Sequence, residues 1–244
     1  ESHVVDTFSP SFTTFEYVLD PDNAFITPAI QSVLDANAGQ FFYVNRSNAD
    51  IGGRNDDTRR KTFRTVLSVE GKTDVGVADL GWELSYNFGR TRNAFHSTGG
   101  LIPGNFLSAI DAVRDPSSGA IRCRRDAPST WYPGYAPIDP ASLTGGTCVP
   151  LNLFGQQNSQ AALDYVSFEA DRKHTITEQV ASLTFNFDTS RFLNLPGGPV
   201  AFAGGAEWRR EESRNINDDL VKSGITEVAA QPDASGGFEV KEAF

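Results

Sequence analysis

The chain has 244 residues, 39% hydrophobic and 21% charged, with a net charge of −10 from 31 acids and 21 bases. That length supports one large domain or two small ones. The acidic balance argues against a nucleic-acid surface, which needs clustered cations, and no run approaches the ~18 consecutive apolar residues of a membrane-spanning helix.

Mean hydropathy is −0.33, a value shared by soluble proteins and by membrane β-barrels, in which only every second residue meets lipid. No N-terminal segment has the charged-then-apolar plan of a signal peptide. A chain that starts at Glu1 and contains no Met suits a mature or excised piece.

Taken in order, residues 1–57 read as irregular. His3–Tyr17 has scattered β-formers without sustained alternation, and Asp20–Asn23 is a turn. Thr27–Ala38 predicts a short helix, with Thr27 as cap, Pro28 at its first position and Gly39 ending it. Phe41–Val44 predicts a brief strand and Asn48–Asp57 a solvated loop.

Regular structure is expected from about Thr58. In Arg60–Glu70, Phe63, Thr65, Leu67 and Val69 share one face and Arg64, Ser68 and Glu70 the other, with Val66 the exception. A connector at 71–79 leads to Leu80–Arg90, whose faces are the cleanest in the chain: Leu80, Trp82, Leu84, Tyr86 and Phe88 against Gly81, Glu83, Ser85, Asn87 and Gly89. Side chains alternate along a strand, and a strand tilted across a bilayer needs about 9–11 residues. Aromatic residues near both ends of the apolar face fit the two interfacial girdles of a membrane barrel.

Residues 91–173 then form one long connection rich in Gly, Pro, Ser and Asn. Such a span is usually functional or disordered. Asn105–Arg114 predicts a helix capped by Asn105, and a second short helix is expected near Ser159–Val166. Cys123 and Cys148, 25 positions apart, suit a disulfide better than a metal site, which places the loop in an oxidising compartment. Trp131, Tyr132 and Tyr135 lie between them, beside Arg122, Arg124 and Arg125. Aromatic faces stack on sugar rings or aromatic chelators, and guanidinium groups suit carboxylates or phosphates. Trp131, Tyr132, Tyr135, Arg122 and Arg124 are therefore candidate ligand contacts, with plain packing of the loop as the competing explanation.

The hairpin then recurs. Thr175–Asp188 sets Ala181, Leu183, Phe185 and Phe187 against Glu178, Ser182, Thr184 and Asn186. A turn at 189–199 leads to Val200–Arg210, where Val200, Phe202, Ala206 and Trp208 alternate with Glu207 and Arg209. After a polar connection at 211–235, residues 237–244 predict a further strand with Phe238 and Val240 on its apolar side. Strands at about 60–70, 80–90, 175–188, 200–210 and 237–244 are thus joined by short and long connections in alternation. In outer-membrane barrels the short turns are periplasmic, here 71–79 and 189–199, and the long loops extracellular, here 1–57, 91–173 and 211–235. The expected fold class is all-β: an antiparallel segment of an outer-membrane β-barrel with short helices in its extracellular loops. A secreted β-sandwich that binds glycans is the alternative, because its strands alternate too.

No GxSxG, HExxH, Walker-type or GxGxxG motif occurs, so no enzyme and no cofactor are expected. His3, His96 and His174 share no metal-ligand spacing.

Several strings carry a resemblance: WELSYNFGRTR at the end of the second strand, AIDAVRDPSSGAIRCR, CVPLNLFG after Cys148, LPGGPVAF, GAEWRREES and the final VKEAF. In this order and spacing the chain resembles the TonB-dependent receptors of the outer membrane, most of all those of sphingomonad- and Caulobacter-type bacteria. The resemblance implies a 22-stranded barrel around a plug domain. It implies import of a scarce nutrient (siderophore-iron, cobalamin or carbohydrate) with energy from the TonB inner-membrane complex. The expected partners are outer-membrane lipid, the plug and remaining strands of the same receptor, TonB and a small-molecule ligand. No plug, TonB-contacting segment or terminal aromatic assembly signal is recognisable in these residues, so the chain reads as a stretch of a longer receptor.

Overall fold

The computed structural model describes residues 2–5, 9–10, 17–40, 42–44, 46–127, 139–155 and 157–244. It is mostly β, with 51% of the described residues in strands and 16% in helices. Short strands β1 (Ser2–Val5), β2 (Ser9–Pro10) and β3 (Tyr17–Val18) precede helix α1 (Pro28–Ala36) and β4 (Tyr43–Val44). The long hairpin β5 (Gly53–Asp74) and β6 (Asp79–Leu101) leads into α2 (Pro103–Ile110), β7 (Ala112–Arg114), β8 (Ile121–Cys123) and α3 (Gln160–Val166). Then come β9 (Ser167–Asp188), a small hairpin of β10 (Asn194–Leu195) and β11 (Gly198–Pro199), β12 (Ala201–Asn217), α4 (Asp219–Ser223) and β13 (Ala234–Ala243).

The long strands form an antiparallel meander in the order β5-β6-β9-β12-β13, with β1 and β2 along the upper part of β5. The sheet does not close on itself: β5 below Arg60 and the far side of β13 are open edges among the described residues. Register fixes the faces. Leu67, Tyr86, Ala181 and Trp208 share a rung, as do Val69, Leu84, Leu183 and Ala206. All the apolar positions read from β5, β6, β9 and β12 thus fall on one face, labelled the outer face for reference. Arg64, Glu70, Glu83, Asn87, Glu178, Asn186, Glu207 and Arg209 fall on the other.

The outer face is uncovered. Phe63, Leu67, Leu84 and Leu183 are 60%, 68%, 54% and 45% exposed. The polar tips of its aromatics are satisfied within the sheet, Trp82 Nε1 donating to Thr73 Oγ1 at 3.0 Å and Tyr86 Oη to Gln179 Oε1 at 2.9 Å. From Leu80 to Phe88 the band runs about 27 Å along the strand at ~3.4 Å per residue. At a tilt of about 40° that is roughly 20 Å in height, close to the apolar belt of a membrane barrel.

Three expectations need correction. The strands run well past the expected ends: β5 starts at Gly53, β6 continues to Leu101 and β9 begins at Ser167. Beyond the band both faces carry polar side chains, so alternation fades while backbone pairing persists. Next, α2 starts at Pro103, a residue suited to a first helical turn, and ends at Ile110. Asn105 lies inside it, its Nδ2 donating to Thr144 Oγ1 and Tyr165 O, each at 2.7 Å, so it ties the loop at Thr144 to α3 instead of capping. Finally, β13 is turned over. Phe238 and Val240 pair with Glu211 and Arg209 on the polar face, while Lys241 faces Trp208 on the outer one and meets Glu239 at 2.9 Å. Backbone register with β12 outweighs a single hydrophobic alternation.

The buried core lies almost wholly outside the sheet. Leu19, Leu34, Leu101, Phe106, Ile110, Leu151 and Val166 pack into one cluster built from the connections at the upper end of the strands. Thr27 caps α1 as expected, accepting from Ile30 N, and Ser159 caps α3, accepting from Ala162 N. The expected disulfide joins Cys123 to Cys148 within this cluster, with Cα atoms 6.0 Å apart. Closing a loop of that length contributes about 3–4 kcal/mol on a chain-entropy model. Replacing both cysteines by serine should cost that much, seen as faster proteolysis within 102–166 while strand circular dichroism is retained.

Asp115 closes the DPSSG turn beside the cluster. Its carboxylate accepts from Ser117 Oγ at 2.6 Å, Ser117 N at 2.8 Å and Ser118 N at 3.2 Å. Those bonds, the Ser117 hydroxyl first, hold its pKa down at about 2. A depressed carboxylate stabilises the fold fully above its unfolded value, about 3.9. The contribution is lost as pH falls from there toward 2. Backbone amides of Ser117 and Ser118 should therefore exchange faster at pH 2.5 than at pH 5, after correction for intrinsic rates, and Asp115→Asn should remove that difference.

Candidate functional site

The site with the most varied chemistry lies on the polar face, at the upper end of the sheet. A β-bulge at the end of β6 shifts the register between Ser97 and Gly100. Gly99 sits there at φ +72, and a Cβ would meet Gly53 O at 2.3 Å, so only glycine fits. The bend brings β6 toward the connection at 218–233, which folds back across the polar face.

Specific bonds hold that connection down. Glu227 N donates to Leu101 O at 3.0 Å and Leu101 N to Glu227 Oε1 at 3.1 Å, while the Glu227 carboxylate also pairs with Arg54. At its root, Asn217 N donates to Asp233 Oδ1 at 2.8 Å, and Asn217 Nδ2 to Gln231 O and Pro232 O, each at 3.0 Å. The helix α4, unforeseen within 211–235, begins at its Asp218 cap and ends at Gly224 in the left-handed region. Its DDLVKSG string carries both signals.

Between this roof and the sheet lies a cavity of about 440 Å³, lined by Arg54, Asp56, Phe95, Ser97, Arg172 and Asn217 from the strands and by Val221, Glu227, Val228 and Gln231 from the roof. That volume is within the range of small-molecule sites. The Arg172 guanidinium lies 4.1 Å from the centre of the Phe95 ring, a cation–π arrangement, and it has no ion-pair partner among the described residues. An aromatic face beside a guanidinium suits a ligand with a carboxylate, phosphate or sugar hydroxyls. Among the described residues no group of His, Cys, Asp or Glu is arranged to hold a metal ion.

The residues singled out from sequence fall elsewhere. Trp131, Tyr132 and Tyr135 lie outside the described residues. Arg122 is half exposed and 3.6 Å from Asp115. Arg124 is 6% exposed and structural: its Nε donates to Asp111 at 2.9 Å and its two Nη atoms to Asp22 at 2.9 and 2.5 Å. Burial opposes its charge, but the bonds it donates to Asp22 and Asp111 outweigh that and raise its pKa above the usual arginine value. Arg125 donates to Tyr165 Oη at 3.1 Å and Gly146 O at 2.9 Å. Arg54, Phe95 and Arg172 were missed because they fall in stretches that read as loop.

Along the rest of the polar face a hydrogen-bonded ladder links the strands. Arg64 Nε donates to Asn87 Oδ1 at 3.0 Å, Asn87 Nδ2 to Glu178 at 3.3 Å, and the hydroxyls of Ser85 and Ser182 lie 2.7 Å apart. No protein-family model, curated protein or solved structure matches this chain.

Proposed function

We propose that these residues form part of the wall and the extracellular loop layer of an outer-membrane receptor of the TonB-dependent type, which imports a scarce nutrient. The uncovered apolar face carries this reading. Water does not tolerate so broad a contiguous apolar surface on a monomeric soluble protein, and a β-sandwich would bury under a second sheet the side chains of Phe63, Leu67, Leu84 and Leu183, which are exposed here. In lipid the same face needs no cover. The open edges then require further strands, because unpaired backbone groups are costly in hydrocarbon.

In this reading the polar ladder faces a plug or a wet lumen. The short turns at Val75–Ala78 and around β10 and β11 are periplasmic, and the disulfide-closed cluster is extracellular. The roofed cavity around Arg172 and Phe95 is where a captured nutrient meets the wall, and siderophore-iron, cobalamin and carbohydrate ligands all present groups it can bind.

Topology tests the proposal. Val77→Cys and Ser118→Cys place single thiols in a short turn and in the long connection, with the native cysteines locked in their disulfide. A membrane-impermeant maleimide applied to intact cells should label Ser118→Cys and spare Val77→Cys until the outer membrane is opened. Equal labelling of both, or recovery of the protein from the detergent-free soluble fraction, would rule the proposal out.

A further inference from the structure

The outer face changes chemistry sharply above its apolar band. On the rung beyond Phe63, Lys61 stands directly opposite Arg92, which is followed across the sheet by Thr175 and Arg214. One rung lower is Arg90; one rung higher are Arg59 and Lys173. These side chains line a concavity of about 540 Å³ in which the sole acid among the described lining residues is Glu212. That carboxylate is already engaged by Arg210, at 2.9 Å from Nε and 2.5 Å from Nη2.

Arg90, Arg92, Lys173 and Arg214 are exposed and have no ion-pair partner among the described residues. Like charges on directly opposed strand positions are destabilising, and the chain as a whole carries −10. Four unpaired cations in one concavity whose single described acid is engaged therefore run counter to the composition. They call for an anion from outside the chain. Position narrows its chemistry: the cluster begins where the apolar band ends, on the same face.

We infer that this belt binds the phosphate headgroup of an anionic membrane lipid, whose acyl chains lie down the band over Phe63, Phe88 and Leu67. Guanidinium groups grip phosphate oxygens in pairs, and the Thr175 and Thr177 hydroxyls add donors. Arg92 and Arg214 lie two strands apart, about 10 Å, a span that admits phosphates side by side. The inference rests on the outer face being lipid-facing.

The test compares lipids with identical tails. The intact protein in non-ionic detergent is exposed to dioleoyl phosphatidic acid or dioleoyl phosphatidylcholine, and retained lipid is counted by native mass spectrometry. Phosphatidic acid should be retained about tenfold more tightly, as expected for at least one charge-assisted hydrogen bond. The double variant Arg92→Gln, Arg214→Gln should erase most of that preference, whereas Arg209→Gln on the polar face should not. Millimolar inorganic phosphate should fail to displace the lipid. Equal retention of the two lipids, or an unchanged preference in the double variant, would overturn the headgroup site alone; so would displacement by free phosphate, which would reveal a simple anion site. A protein that stays monomeric in buffer without detergent would remove the membrane reading and this inference together.

Discussion

Arginine introduced together at Leu67 and Leu183 should destabilise the protein in a bilayer by about 4–8 kcal/mol, and at Leu84 alone by about 2–4 kcal/mol. All three positions lie in the middle rows of the outer face. Leu67 and Leu183 are two strands and one row apart, roughly 12 Å on sheet geometry, so their costs should add. The matched control is Ser85→Arg, one residue from Leu84 but on the polar face, where a charge meets water or other polar groups. It should cost about 0.5–1.5 kcal/mol, the loss of its bond to Ser182. Urea titration of vesicle-reconstituted protein, followed by tryptophan emission, reads both. If Leu84→Arg and Ser85→Arg cost the same, the two faces of the sheet do not see different solvents.

Arg124→Ala should cost about 3–5 kcal/mol, the usual penalty for leaving a buried charge without its partner. The change strands Asp111, whose side chain is 10% exposed, and releases Asp22, so the N-terminal segment comes away from β7 and β8. Asn23 Nδ2 to Ile110 O and Ala24 N to Ala112 O, both short bonds in the same joint, should weaken with it. The loss is local to the upper cluster: proteolysis of residues 19–26 and 102–127 should accelerate while the strands stay protected. Adding Asp111→Leu to Arg124→Met should recover most of the stability, because an apolar pair of similar volume needs no counter-charge. A ligand-contact role for Arg124 predicts the opposite, a stable protein with weakened binding.

The sheet was legible in the sequence where one of its faces is apolar. Leu80–Phe88 and Ala181–Phe187 alternate because their two sides meet different surroundings, and their pairing follows. Above the band, Thr91–Ser97 and Phe168–His174 are mostly polar on both sides, with Phe95 and Phe168 too few to set an alternation, so they read as loop where the backbone still forms strands. The cavity around Arg172 and Phe95 lies in that unreadable zone. It is built by a bulge at Gly99 and a fold-back at 218–233, both set by tertiary contacts. The cation belt was hidden for another reason: Lys61, Arg92, Lys173 and Arg214 are scattered over more than 150 positions and only the register brings them together. Arg124 shows the reverse error, since arginines beside aromatics look like a binding motif whether they point outward or pair inside. The cap at Thr27 was a local signal and carried its helix, whereas Ser159 and Asp218 accept at helix starts that were not read as caps.

The native tryptophans offer the most direct measurement. Trp82 and Trp208 lie within the outer band, and Trp131→Phe removes the remaining indole. In vesicles of lipids brominated along the acyl chain, emission from Trp82 and Trp208 should be strongly quenched, and aqueous iodide should have little effect. Weak quenching by brominated chains with ready quenching by iodide would mean that this face meets water, and the account of the sheet as a piece of membrane wall would be wrong.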